Sequence, residues 1–479
     1  MKKGQNQATV SIMLRIRMIA GIVLTIIAIG VAFQLLSMSA NNYIKAEYRD
    51  WISWPSNGPF GLLESYKTRP TRAFATWYPQ ISSELCGTDR RCLNLTNMVP
   101  LYGMTVFAFA FVWKFSKNLV AAATVPFIIL LSSSAYVGLI WQATILDKFS
   151  GFWGLAVLLS AYWIASSKPT NIFKVIAINV GMGLIILFGL GSKEVFWPTI
   201  PAIGLLYIFM VFKHPARLRD LKYYVLPIIV TLSVSLQLIS SIMDGELVDS
   251  RTVGGNLVEN LSQLTRILFQ LPNWIGLFIL LIGIGTSIWG SLKEKEPLKR
   301  GLYAALGFIL VSTIIINAKT QFNSSFYYIY STGILACLVG LGLGFIQKTS
   351  WIGGWVMVIF LLILGYGHKI AYDKAILEFE MDNARSLQLE ASMDSLLGTT
   401  CMKKGVEAVL NKPFWQGHLY LNGTWCSHKR LASKNKKLAC VGDFGSHLAI
   451  STYDIEAPSY PSKYVHFNND LKIVSKKCE

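Results

Sequence analysis

Long apolar stretches alternate with short polar ones from the N-terminus to about residue 368. A helix needs roughly 20 apolar residues to cross the hydrocarbon layer of a membrane. Most stretches approach that length and hold few charges, so the pattern predicts an all-α multi-span membrane domain with about eleven transmembrane helices. The predicted spans are roughly 18–39, 98–113, 118–140, 151–167, 173–191, a sixth ending at Lys213, 223–243, 269–291, 301–318, 327–346 and 351–367.

Basic residues predict the orientation of these spans. Lys2, Lys3, Arg15 and Arg17 precede the first apolar stretch, and further Lys and Arg clusters recur at every second connection. Such clusters favour the cytoplasmic side. We therefore expect a cytoplasmic N-terminus, a first span retained as a signal anchor, and a large first outer loop over 41–97. The predicted location is a bacterial inner membrane whose outer face is periplasmic.

The chain changes character beyond the last predicted span. Residues 369–479 are polar, with a helical pattern at first and then short apolar runs bounded by Gly, Asn and Pro. This predicts a small C-terminal α/β domain. Two units follow: a membrane domain over 1–368 and a C-terminal domain over 369–479. An odd number of spans places that second domain on the periplasmic side.

Six of the seven cysteines fall on the two predicted outer regions. Cys86 and Cys92 share the first loop, and the C-terminal domain holds the other four: Cys401, Cys426, Cys440 and Cys478. Even numbers outside the cytoplasm favour disulfides. Cys86–Cys92 is the expected first pair, whereas the other four allow three pairings. A zinc site with the histidines of the C-terminal domain is the alternative, although it lacks a Cys-x-x-Cys pair.

The net charge of +18 could indicate nucleic-acid binding. The basic residues are instead spread between apolar stretches, as expected for a membrane protein, so we predict no nucleic-acid partner. Motifs of soluble enzymes, such as a phosphate-binding Gly-x-x-x-x-Gly-Lys loop or a His-Glu-x-x-His zinc site, do not occur. Candidate chemistry therefore has to lie where polar groups meet the membrane.

The first outer loop combines acids, arginines and aromatic rings. Glu47 and Asp50 follow the first span, and Glu64, Arg69 and Arg72 come later among Trp, Tyr and Phe residues. Arg binds phosphate through a planar fork, and a carboxylate can accept a proton from an attacking hydroxyl. A simpler interpretation is open for each: interfacial aromatics are common in membrane proteins, and the charges could be solvated.

Two later segments place charges at the predicted outer face. Ile140–Lys148 carries Asp147, and Ser192-Lys193-Glu194 ends a Gly-rich span. Lys193 and Glu194 could pair with each other, or Lys193 could contact a phosphate. The alternative for both is that the side chains extend to the membrane interface without a functional role.

Together these features resemble the GT-C superfamily of membrane glycosyltransferases. The shared features are the first outer loop with its acid, the Arg69-Pro70 segment, the Ile140–Lys148 segment, the Ser192-Lys193-Glu194 segment and the C-terminal outer domain. The resemblance implies a polyprenyl-phosphate-linked sugar donor and a catalytic base at Asp50, with Glu47 as the alternative. Many members have two adjacent acids, whereas Asp50 lies between Arg49 and Trp51.

The resemblance also implies roles for the remaining polar residues. Arg69, Arg72 and Lys193 would bind the donor phosphate, with Glu194, Asp147 and Glu64 in support. The expected reaction is inverting transfer of a sugar, expected to be glucose, to a periplasmic glycan such as the O-antigen of lipopolysaccharide. The size and the cysteine-bearing C-terminal domain are similar to phage-encoded serotype-converting glucosyltransferases.

Membrane lipid and the glycan acceptor are the other expected partners. No cofactor or metal site is predicted, although a divalent cation could assist at the phosphate. A transporter or flippase is one alternative, but the charges gather at one face and not at the membrane midplane. An O-antigen ligase or polymerase is another, for which the late outer loop over 244–266 is small.

Overall fold

The protein is described by a computed structural model that covers residues 2–40, 57–87, 89–132, 134–135, 138, 142–167, 171–243, 257–262, 273–319, 325–349, 366 and five short strands between 407 and 477. Up to residue 349 the described segments are helical. The α-helices are α1 Lys2–Ala40, α2 Gly58–Thr68, α3 Ala73–Cys86, α4 Arg90–Ser116, α5 Leu119–Leu130, α6 Ile145–Ser167, α7 Ile172–Leu190, α8 Thr199–Lys213, α9 Val225–Met243, α10 Leu257–Ser262, α11 Asn273–Lys293, α12 Pro297–Ala318 and α13 Ile329–Thr349.

Four 3-10 segments lie between these helices, at Gln142–Thr144, Glu194–Phe196, Pro215–Tyr223 and Ser325–Tyr328. Eight helices in the described ranges are long and apolar enough to cross a membrane, and a ninth counts if Pro215–Tyr223 and Val225–Ser240, bent by 70°, form one broken span. The prediction of a multi-span helical membrane protein is confirmed. Of the other predicted spans, 118–140 begins with the short apolar helix α5 and is described beyond it only at residues 131–132, 134–135 and 138, and 351–367 lies outside the described residues except for Tyr366.

Helix α13 forms the centre of the bundle. It packs against α4, α5, α6, α11 and α12, and 89% of its most apolar window is buried. A helix that is apolar all round is expected in such a position. Glycines allow the close approach: a Cβ on Gly283 of α11 would lie 2.3 Å from the Leu335 side chain. Small residues at helix contacts are typical of membrane bundles.

Two helix pairs flank this centre. Helix α8 packs on α12, and α9 packs on α7. The first pair is tight because Gly301 meets the backbone of α8, where an added Cβ would lie 2.3 Å from the Leu206 carbonyl oxygen. The 3-10 segment Pro215–Tyr223 joins α8 to α9 and carries the 70° bend. The two pairs therefore connect through a short, polar segment.

The predicted first outer loop is largely helical. Helices α2 and α3 occupy residues 58–86 and pack against each other, and α4 begins at Arg90 within the predicted loop. The Cys86–Cys92 disulfide joins the end of α3 to the first turns of α4 and confirms that pairing. Cys337 is a free thiol buried in α13. The four cysteines of the C-terminal domain lie outside the described residues.

Five strands lie in the C-terminal region: β1 Glu407–Leu410, β2 His418–Leu419, β3 His447–Ser451, β4 Tyr464–Phe467 and β5 Ile473–Lys477. They form one sheet in the order β2-β1-β3-β4-β5. The pairs β1–β3 and β3–β4 are parallel, with Ala408 opposite Leu448 and Ile450 opposite Val465, and the two edge pairs are antiparallel. The domain boundary at 368 and the helix expected after it stay predictions.

Candidate functional site

The first-loop helices are fixed to the end of α7 by hydrogen bonds. The backbone N–H groups of Phe74 and Ala75 donate to the Gly191 carbonyl at 2.8 and 3.2 Å. The Tyr66 hydroxyl donates to the Leu187 carbonyl. First-turn N–H groups and last-turn carbonyls of helices lack partners within their own helix, so α3 and α7 satisfy each other. Burial raises the pKa of Tyr66, which keeps the phenol a neutral donor.

The Gly191 contact makes a specific prediction. A Cβ at this position would lie 2.1 Å from the Tyr66 hydroxyl and 3.0 Å from the Phe74 nitrogen. Gly191→Ala should therefore displace α2 and α3 and destabilise the protein by about 1–3 kcal/mol, measured as thermal unfolding in detergent. Gly30→Ala is the matched control, because its Cβ would meet nothing within 4 Å. Equal melting temperatures for both variants would contradict the docking contact.

The contact of α2 and α3 with the end of α7 brings three separate polar segments together. Lys193 Nζ lies 2.7 Å from Asp147 Oδ1, and the two side chains are 8% and 2% exposed. The sequence placed Asp147 in an outer loop, but α6 begins at Ile145, so Asp147 lies in its first turn. That location is favourable because the amide end of a helix attracts negative charge. The predicted segment 141–150 is thus mostly buried helix.

Glu194 pairs with the turn between α2 and α3 and not with Lys193. Its Oε1 accepts from Thr71 Oγ1 at 3.2 Å and lies 3.8 Å from Arg72 Nε, with both side chains of the ion pair partly exposed. Lys193 also lies over the Tyr327 ring, with Nζ 4.0 Å from the ring centroid. We call Arg72, Asp147, Lys193 and Glu194 the polar cluster.

A second group of buried polar side chains lies beside the polar cluster. Lys148 Nζ donates to Asn97 Oδ1 at 2.5 Å, and Asn97 Nδ2 donates to the Gln142 carbonyl at 2.9 Å. Gln142 Nε2 donates to Asn94 Oδ1 at 3.0 Å, and Asn94 contacts the Ala40 carbonyl at 3.4 Å. All four side chains belong to buried residues. Sequence reasoning missed this amide–lysine network, although Asn94 and Asn97 are one helical turn apart.

The polar cluster pairs two cationic side chains with two carboxylates. Lys193 is paired with Asp147, and Arg72 lies near Glu194. Burial lowers the pKa of the Lys193 ammonium, and the Asp147 carboxylate opposes this shift. Arg and Lys side chains both bind phosphate, so Arg72 and Lys193 are the groups of this cluster that suit such an anion.

The remaining predicted site residues are exposed or lie outside the described ranges. Arg69 and Glu64 are exposed, and Arg69 forms no ion pair within the described part of the chain. Asp50 and Glu47 lie outside the described residues. Helix α1, which ends at Ala40, leads into their segment, and its last carbonyl contacts the amide–lysine network. Within the described ranges, no three His, Cys, Asp or Glu side chains form a group that could hold a metal ion.

The fold and the cluster together define a multi-span membrane protein with two neighbouring ion pairs, one buried (Lys193–Asp147) and one partly exposed (Arg72–Glu194). A solved structure shares this fold: ArnT from Cupriavidus metallidurans, bound to undecaprenyl phosphate. The TM-score is 0.51 at 13% sequence identity, over 94% of this chain and 93% of ArnT. No protein-family model matches the sequence, and no curated protein matches it. The similarity establishes an ArnT-like fold.

Proposed function

We propose that this protein is a membrane glycosyltransferase that transfers a sugar from a polyprenyl-phosphate donor to a glycan acceptor. The observation that carries the proposal is the convergence of Arg72, Asp147 and Lys193 from three distant segments into the polar cluster. The undecaprenyl phosphate bound to the structurally similar ArnT supports the donor class. Glucose as the sugar, O-antigen of lipopolysaccharide as the acceptor and a periplasmic site are our finer proposals.

The donor phosphate would bind at the basic side of the polar cluster. Arg72 is partly exposed and Lys193 is buried, so one reaches the phosphate from the aqueous side and the other from the bundle. Glu194 and Asp147 hold these cations in place. Arg69 lies three residues before Arg72 and is exposed, which suits an additional contact as the donor enters. Fixed charges of this kind stabilise the charge that develops in a transition state.

The chemistry requires a base and a leaving group. In our proposal, Asp50 accepts the proton of an acceptor hydroxyl, with Glu47 as the alternative base. The hydroxyl oxygen then forms a bond to the anomeric carbon, and the bond from that carbon to the phosphate oxygen breaks. The electron pair leaves with the polyprenyl phosphate, whose added charge the Arg72 and Lys193 side chains neutralise. Attack opposite the leaving group inverts the anomeric centre.

A reconstituted assay tests this function. The full-length protein in proteoliposomes is supplied with undecaprenyl-phosphate glucose, radiolabelled in the sugar, and with purified lipopolysaccharide. We expect label to appear in the lipopolysaccharide, and Arg72→Gln to reduce the rate by at least tenfold because a phosphate contact is removed. Lys174→Gln is the matched control, since Lys174 is exposed at the start of α7. Movement of the intact donor across the membrane without transfer would instead indicate a flippase.

A further inference from the structure

An apolar groove lies between the two flanking helix pairs. It has a volume of about 510 Å³ and lies between α8 and the start of α9. Its lining runs along α8 from Ile200 to Phe212, about 18 Å at the helical rise per residue. Because α8 packs on α12 and α9 packs on α7, neither pair fills this space with its own side chains.

The polar groups of the groove gather at one end. Arg217 and Asp220 form an ion pair at 3.1 Å, and the hydroxyls of Tyr207 and Tyr224 bond to each other at 2.8 Å. These four residues line the end next to the connection between α8 and α9. The rest of the lining is almost wholly apolar, with Thr231 as the exception. A ligand with an apolar chain and a polar head therefore has one orientation that matches the groove.

The charge at that end is strongly positive. Within Lys213–Lys222, the cations are Lys213, Arg217, Arg219 and Lys222, and Asp220 is the acid. Asp220 is paired with Arg217, whereas Lys213, Arg219 and Lys222 are exposed. These three cations do not line the groove, but each is adjacent in sequence to a residue that does: Phe212, Leu218 or Leu221. Leu218 and Leu221 are also exposed on the same short 3-10 segment, at 56% and 55%. Basic and apolar side chains side by side are typical of a segment that lies at a membrane surface.

We propose that this groove binds an anionic phospholipid, with an acyl chain along α8 and the phosphate at Arg219 and Lys222. The charge pattern favours this ligand over a donor polyprenyl chain, whose phosphate would bind at Lys193 near the opposite end of α8. Basic pockets between membrane helices are known to select anionic headgroups. The lipid fills the gap between the two helix pairs and stabilises the bent connection between them.

The groove can be filled without disturbing the packed bundle. Gly204 lines it, and a Cβ added there would meet nothing within 4 Å. Gly204→Phe should therefore occupy the acyl-chain space. Gly285→Phe is the matched control, because Gly285 on α11 also has open space around its Cβ and is not part of the groove. Arg219→Gln with Lys222→Gln removes the headgroup contacts and leaves the apolar lining unchanged.

The experiment measures thermal unfolding of the full-length protein in detergent as phosphatidylglycerol is added, with phosphatidylcholine of the same acyl chains as the comparison. We expect phosphatidylglycerol to raise the melting temperature at lower concentration than phosphatidylcholine. The double Gln variant should weaken this apparent affinity by roughly tenfold, and Gly204→Phe should abolish it, whereas Gly285→Phe should not.

Three outcomes would overturn the proposal. The first is equal stabilisation by the two lipids, and the second is an unchanged response in Gly204→Phe. The third is stabilisation by undecaprenyl phosphate that Gly204→Phe blocks and the double Gln variant does not, which would assign the groove to the donor chain. Sugar transfer is not part of the measurement, so this proposal and the proposed function can fail separately.

Discussion

Replacing Lys193 with methionine is expected to destabilise the protein by about 3–5 kcal/mol and to abolish sugar transfer. The substitution removes the ammonium that lies 2.7 Å from Asp147 and leaves that carboxylate buried without its ion-pair partner. It also removes a cation that we assign to the donor phosphate. Thermal unfolding in detergent measures the first effect, and the reconstituted transfer assay measures the second. Lys174→Met, at an exposed lysine of α7, should change neither.

A double variant separates the structural role of Lys193 from its proposed role in transfer. Lys193→Met with Asp147→Leu removes both charges, and replacing a buried ion pair by apolar residues is often neutral for stability. We expect the melting temperature to recover while transfer stays absent, because the phosphate would still lack its buried cation. Recovery of both stability and transfer would show that the pair is structural only, and would contradict the assignment of Lys193 to the phosphate.

Hydropathy alone predicted most of the bundle because the length of an apolar stretch is a direct measure of its ability to cross a membrane. Spans such as 173–191 and 301–318 correspond closely to α7 and α12. The hydropathy-based prediction was wrong at residues 141–150, whose polar residues predicted a loop. There the helix continues because Asp147 and Lys148 find buried partners in Lys193 and Asn97. A polar residue inside a membrane helix is stable only with such a partner, and hydropathy does not identify it.

The candidate site was also only partly predictable from the sequence. Lys193 was recognisable as unusual because it follows a Gly-rich apolar stretch, and Arg72 because it lies in a basic and aromatic loop. Their partners were not predictable: Asp147 is 46 residues from Lys193 in sequence, and Thr71 is 123 residues from Glu194. Only the packing of α3 on the end of α7 brings these segments together. Of the two interpretations of Lys193, the pairing with Glu194 is not observed, because these neighbouring residues contact different partners, Asp147 and Arg72.

The described helices on either side bound the segment to which we assign the catalytic base. Helix α1 ends at Ala40, and α2 begins at Gly58. The chain between these two fixed ends contains Glu47 and Asp50. The end of α1 contacts the amide–lysine network through Ala40. Helix α3 contacts Gly191, and Thr71 and Arg72, in the turn between α2 and α3, contact Glu194. Both ends of the acidic segment are therefore attached to the elements that hold the proposed phosphate site.

Asp50→Asn is expected to reduce sugar transfer by about 10²–10⁴-fold, because an amide cannot accept the acceptor's proton. The variant should keep the wild-type melting temperature and the Cys86–Cys92 disulfide, and it should still bind undecaprenyl phosphate. Glu47→Gln is the matched control in the same segment and should retain most activity. The opposite result, with Glu47→Gln inactive and Asp50→Asn active, would reassign the base to Glu47. Full transfer activity in both variants would exclude this segment as the source of the base.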